Sequence, residues 1–217
     1  TPELRGNVYG PTIGNEPAVS EKRHVVLQGF EETDILPFGG RLDRVVAAAG
    51  AQVLLTYIPP FPVYPPETAW MRTPRTDIPG LILRTTDRGS RIVYLAADLD
   101  RRFARDNLPD HGDLLANLVR WAASDSIPLA VEGPGLIACH LYRQPGRLIL
   151  HLVNLTNAGT WRAPVHELIP IGPLSVRVQP PEGLRPQKAK LLVAAKDIRC
   201  AAEKGWVSLS LASIVDH

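Results

Sequence analysis

The sequence predicts a mixed α/β region up to about residue 126, followed by an all-β sandwich to residue 217. Three observations carry this. A hairpin-like stretch, "GLILRTTDRGSRIVYLAAD", runs directly into the clearest helical pattern in the chain, "HGDLLANLVRWAAS". No helical period follows Pro128. Short alternating segments separated by turns take over there, as in a sandwich. The expected domains are 1–126 and 127–217.

Residues 1–22 carry Pro, Gly and Asn without period and predict an irregular lead-in. "HVVLQGF" (24–30) predicts a short strand. "GGRLDRVV" and "AQVLLTYI" predict two more, with a short helix over 42–49 as the competing reading. Residues 59–80 form a proline-dense loop, and long loops of this kind often serve function or an interface. A strand over 80–85 turns at Asp87-Arg88-Gly89 and returns over 91–97. In the helix, Leu114, Leu115, Leu118, Val119 and Ala122 line one apolar face. Leu136, Ala138, His140 and Tyr142 alternate, as do Leu148, Leu150, Leu152 and Asn154, and the break at 143–146 predicts a hairpin turn. Residues 174–181, 188–195, 198–205 and 206–213 predict further short strands.

The chain has 217 residues, 45% hydrophobic and 21% charged, enough for a sizeable core. Its net charge of +2 implies neither a nucleic-acid nor a membrane partner. Twenty-one prolines favour loops and short strands. No apolar run approaches the ~20 residues of a membrane span. No signal-peptide pattern is present, which makes a cytoplasmic location the expectation. The chain starts at Thr1 and its one methionine is Met71, so a processed product or a piece of a longer chain is expected. Cys139 and Cys200 lack any CxxC or Cys/His context and read as buried free thiols, with a bridge between them left open.

Several residues could carry chemistry. Asp98 and Asp100 sit two apart at a strand end and would share a face, as paired carboxylates of a glycosidase or metal site do. The simpler reading is a salt-bridged turn over Asp98-Leu99-Asp100-Arg101. Asp110-His111 could orient an imidazole, but no nucleophile elbow accompanies it, and Asp110 as an N-cap with His111 in the first helical turn is the simpler reading. Glu31, Glu32 and Asp34 lack a calcium-loop pattern and read as a solvated or partner-facing loop. His140 and His151 lack a third ligand, so no metal is expected. No glycine-rich phosphate loop exists, so no cofactor is expected. Tyr57, Phe61, Tyr64 and Trp70 cluster in and beside the proline loop, which favours burial at an interface over a sugar site. Trp161, Trp206 and Tyr142 are the candidate sugar platforms of the β region. Asn154-Leu155-Thr156 matches a glycosylation sequon by chance.

The phrases "HVVLQGFEETDILPFGGRL", "SRIVYLAADLDRRF", "PDHGDLLANLVRWAA", "VEGPGLIACHLYRQPGRLILHLVNLTN" and "WRAPVHELIPIGPLSVRV" together resemble the C-terminal region of a family of bacterial glycoside hydrolases. The resemblance spans roughly residues 24 to 215. It implies a β-galactosidase trimerisation-like domain, flavodoxin-like and similar to a class I glutamine amidotransferase, then a small β-domain. It also implies a TIM-barrel catalytic portion outside this chain, and no catalytic residue within it. On that reading the flavodoxin-like domain is partial, and its missing strands come from elsewhere. The implied role is non-catalytic assembly, with the barrel portion and further copies of the chain as partners and Tyr64 and Trp70 as anchors. The alternatives are a carbohydrate-binding sandwich and, last, a small hydrolase using Asp98, Asp100 and His111.

Overall fold

The computed structural model describes residues 7–9 by backbone alone, together with 23–33, 35–37, 40–62, 64–70, 72–73, 76–156, 167–186 and 188–217. The chain forms two compact units, Thr1–Ser126 and Ile127–His217.

The first unit is built on one five-stranded sheet. Its strands are β1 (Asn7–Tyr9), β2 (Ile35–Pro37), β3 (Gln52–Ile58), β4 (Pro79–Thr85) and β5 (Arg91–Leu95). Their spatial order is β2-β1-β3-β4-β5, and every pairing is antiparallel. β3 forms because "QVLLTYI" is rich in β-branched, aliphatic and aromatic residues. Its pairing with β4 slips at Val53/Leu55 and again at Leu55/Thr56, and residues 54–58 are all buried. The β4–β5 turn closes with the Gly89 amide on Thr86 O at 2.8 Å, and Gly89 supplies the positive φ of 80°.

Two helices follow, α1 (Leu99–Asp106) and α2 (Pro109–Ala122). Asn107, at φ 52°, ends α1 with its amide on Phe103 O, and Pro109 opens α2 where no intrahelical amide is needed. A Cβ on Gly112 would lie 2.8 Å from the Phe103 ring, so the bare glycine lets the helices approach closely. Leu114 and Leu118 bury one face of α2 in a core shared with Leu54, Leu81, Leu83 and Leu99.

This architecture overturns the expected partial flavodoxin-like, amidotransferase-like α/β domain. The described residues are mostly β, in several small antiparallel sheets with only two α-helices, and no parallel sheet occurs among them. The reason lies in the connections. A parallel pair requires a crossover, usually a helix, between its two strands. Here β4 and β5 are joined by a tight turn, and α1 and α2 both come after the last strand of the sheet.

Two local expectations also change. "HVVLQGF" is a 3-10 turn over Val25–Leu27, not a strand. Its carbonyls are taken by a side chain of α2, since Asn117 Nδ2 donates to Val26 O (3.2 Å) and Gln28 O (2.9 Å). "GGRLDRVV" contributes only the isolated bridge of Leu42 with Ala97.

Among its described residues, the regular elements of the second unit are all strands. They are β6 (Leu129–Glu132), β7 (Ile137–Gln144), β8 (Arg147–Asn154), β9 (Leu174–Val178), β10 (Ala189–Leu191), β11 (Lys196–Ile198), β12 (Ala201–Glu203) and β13 (Trp206–Leu211). A four-stranded sheet, β12-β13-β9-β6, is accompanied by the hairpins β7–β8 and β10–β11. β9 alternates strictly, with Leu174, Val176 and Val178 buried and Ser175 and Arg177 exposed. Leu152, Leu211 and the inward residues of β7 and β8 complete that core. Each fully buried Leu or Val contributes roughly 1.5–3 kcal/mol.

Asn154 closes β8. Its Nδ2 donates to Ile169 O and Val215 O, both at 2.7 Å, and its Oδ1 accepts the Thr156 amide at 2.9 Å. The sequon asparagine is therefore buried, with its amide nitrogen committed to two carbonyls.

Candidate functional site

The acids that suggested catalysis do not converge. β5 ends at Leu95, so Asp98 and Asp100 do not share a strand face. Asp98 directly precedes α1, where its Oδ1 accepts the Arg41 amide at 2.8 Å and its Oδ2 meets Arg101 Nη2 at 2.5 Å. Asp100 lies exposed in the first turn of α1, where an acid suits the helix dipole. Arg102 and Arg105 both pair with Asp106 on the same helix.

His111 is 1% exposed, and its Nε2 lies 2.7 Å from Pro37 O. The carbonyl can only accept, so Nε2 carries the proton. Its Nδ1 has no hydrogen-bond partner among the described residues. This imidazole is a buried tie between α2 and β2, without access to a substrate.

The acidic cluster at 31–34 is local scaffolding where it is described. Glu31 Oε1 accepts the Gly29 amide at 2.9 Å, and that bond is the main reason its carboxyl is held below the ordinary range. Asp34 lies outside the described residues.

The aromatic residues of the proline loop divide by environment. Tyr57 belongs to the core at 7% exposure, and burial pushes its phenol up from its ordinary value. Phe61 is half-buried. Tyr64 and Trp70 face outward, 81% and 56% exposed. The loop between them is ordered by its own bonds: a 3-10 turn runs over Pro66–Thr68, and Thr68 Oγ1 donates to Pro65 O at 3.0 Å. At the loop's base, the Tyr57 amide donates to Ile78 O at 2.9 Å. The Arg72 guanidinium sits 5.6 Å from the centre of the Trp70 ring, a cation–π contact that sequence reading missed. Two exposed aromatics on a tethered loop form a candidate interaction surface. Trp161 lies outside the described residues.

In the second unit, His140 and His151 are cross-strand neighbours in the β7–β8 register. Both are exposed, as is Tyr142, whose ring meets His151 edge-on at 5.7 Å. No group of three or more His, Cys, Asp or Glu suited to a metal ion occurs among the described residues. The other candidate sugar platform, Trp206, has the Arg177 guanidinium 5.6 Å from its ring centre, and Arg177 also reaches Glu132 at 3.4 Å. Cys139 and Cys200 are free thiols, and burial pushes the Cys139 thiol up.

Sequence reading also missed the end of the β10–β11 hairpin. The run 188–195 reads as one strand in the sequence, but β10 stops at Leu191 and residues 192–195 turn, leaving Leu192 and Val193 exposed. The signal was present as an apolar run bracketed by lysines.

No family model matches the chain, and no curated protein matches it in sequence. Among solved structures, the chain is similar to alpha-L-fucosidase isoenzyme 2 from Paenibacillus thiaminolyticus, with a TM-score of 0.58 at 14% identity. The match covers 100% of this chain and 31% of that one, so the chain spans about a third of that protein's length. The likeness is one of fold, to a part of a glycoside hydrolase.

Proposed function

We propose that this chain is a non-catalytic accessory portion of a glycoside-hydrolase-type protein and that it serves assembly. The observation that carries the reading is the unequal coverage: the whole chain fits on less than a third of a fucosidase. The occupied Asp98, the separated Asp100 and the buried His111 support it, because none is placed to act on a substrate. Tyr64 and Trp70 would be the contact residues, toward the catalytic portion or a second copy, since aromatic anchors of this kind dominate interface energetics.

An antibody raised against the chain would be used on extracts of its source. The reading expects a species several times larger than 23.7 kDa that co-purifies with glycosidase activity. In that species, Tyr64→Ala with Trp70→Ala should weaken assembly while leaving thermal stability nearly unchanged. A native band at 23.7 kDa without associated glycosidase activity would refute the reading.

A second reading, a carbohydrate-binding module, rests on the outward face of β7–β8. Tyr142 is 55% exposed there beside His140 and His151. Oligosaccharide titration of the wild type against Tyr142→Ala distinguishes it from the assembly role.

A further inference from the structure

The β10–β11 hairpin ends in an apolar tip that the core does not use. Leu191 and Ile198 pack toward the core of the second unit. Beyond them the chain turns through Leu192-Val193-Ala194-Ala195, with Ala195 at φ 51°. Leu192 and Val193 remain 70% and 71% exposed. Turns ordinarily take Gly, Asn, Asp or Pro. Adjacent aliphatic side chains at such a tip gain nothing from burial within this unit.

Cations collar the tip. Lys188, Lys190, Lys196 and Arg199 are all exposed, in a stretch whose only acid is Asp197. The register pairs Lys190 with Asp197 and Leu191 with Lys196. Cross-strand partners share a face and successive residues alternate, so Lys190 and Lys196 occupy opposite faces of the hairpin. A one-sided groove on a protein partner would meet only one of those faces. A flat surface met end-on meets both. At about 3.3 Å per residue, the two lysines stand a few ångströms behind the tip. The polar layer of one bilayer leaflet is roughly 5–8 Å deep. Lysine stems lie along apolar surface while their ammonium groups stay in the polar layer.

We propose that the β10–β11 tip docks on an anionic lipid surface, with Leu192 and Val193 at the boundary between headgroups and acyl chains and Lys190 and Lys196 on lipid phosphates. The proposal goes beyond the hydrolase reading and stands or falls independently of it.

The test is co-sedimentation of the full chain with phosphatidylcholine vesicles and with vesicles containing one third phosphatidylglycerol. Binding to the anionic vesicles should exceed binding to the neutral ones at least tenfold and should fall as salt rises. Leu192→Ser with Val193→Ser, and separately Lys190→Gln with Lys196→Gln, should each lower it about tenfold or more, with unchanged far-UV circular dichroism. Equal pelleting with both vesicle types, no pelleting, or full binding by the serine variant would overturn the proposal. So would failure to bind vesicles combined with loss of a protein partner in the serine variant, which would assign the tip to that partner.

Discussion

His111 Nε2 donates to Pro37 O at 2.7 Å, joining the first turn of α2 to β2 across 74 residues of sequence. Because the ring is 1% exposed, its loss combines a cavity with an unpaired carbonyl. His111→Ala should therefore destabilise the first unit by roughly 2–4 kcal/mol, read as a shift in its urea midpoint. A shift below about 0.5 kcal/mol, the size expected of a neutral surface change, would contradict the buried-tie role.

The stability of the first unit should fall as the solution is acidified. His24 Nδ1 accepts the Val26 amide at 3.3 Å, and the ring packs edge-on against Trp121. Burial, and then the charge of Arg91, hold its pKa below the ordinary 6.5. The unfolded state therefore takes up a proton first as pH falls, so stability is lost as pH drops below 6.5 toward the folded value. Thermal unfolding from neutral to mildly acidic pH should show this slope, and His24→Asn should flatten it. An unchanged slope in the variant would place the titration elsewhere.

Asp98 and Asp100 should separate on mutation. Asp98→Ala removes the acceptor for the Arg41 amide and the partner of Arg101, at a cost of roughly 1–2 kcal/mol given its partial exposure. Asp100→Ala should cost no more than about 0.5 kcal/mol. Equal losses from both, seen in denaturant midpoints, would argue that the two act as a pair.

Asn154→Asp is a nearly isosteric test of the second unit. The change puts a carboxylate oxygen against the carbonyls of Ile169 and Val215, which now share the Asn154 amide protons. Two lost hydrogen bonds and a buried repulsion predict a loss of roughly 3–5 kcal/mol. A variant of wild-type stability would mean that the amide network contributes little.

Local order was legible in the sequence where a short period reports it. The β4–β5 hairpin, α2 and the β7–β8 hairpin are each readable because alternation at two residues, or recurrence at three and four, depends only on near neighbours. α1 escaped because "LDRRFARD" is short and mostly charged, and its one large apolar pair at helical spacing, Leu99 and Phe103, is too little repetition to declare a period. The 3-10 turn at 25–27 escaped for the opposite reason. An apolar pair and a flanking aromatic look like a strand until Asn117, 89 residues away, accepts the role of bonding its carbonyls.

The sequence by itself determined the helix of α2 and, among the described residues after Pro128, a succession of short strands, because those follow from residue period and turn chemistry. Only the tertiary structure decided that the first sheet is antiparallel, because strand direction is set by pairings between distant segments. It alone separated buried Tyr57 from exposed Tyr64 and Trp70, and sealed His111 while leaving Leu192 and Val193 bare. A net charge of +2 likewise conceals the cationic collar around that tip. Composition sums over the chain, whereas burial and local field depend on which residues the fold brings side by side.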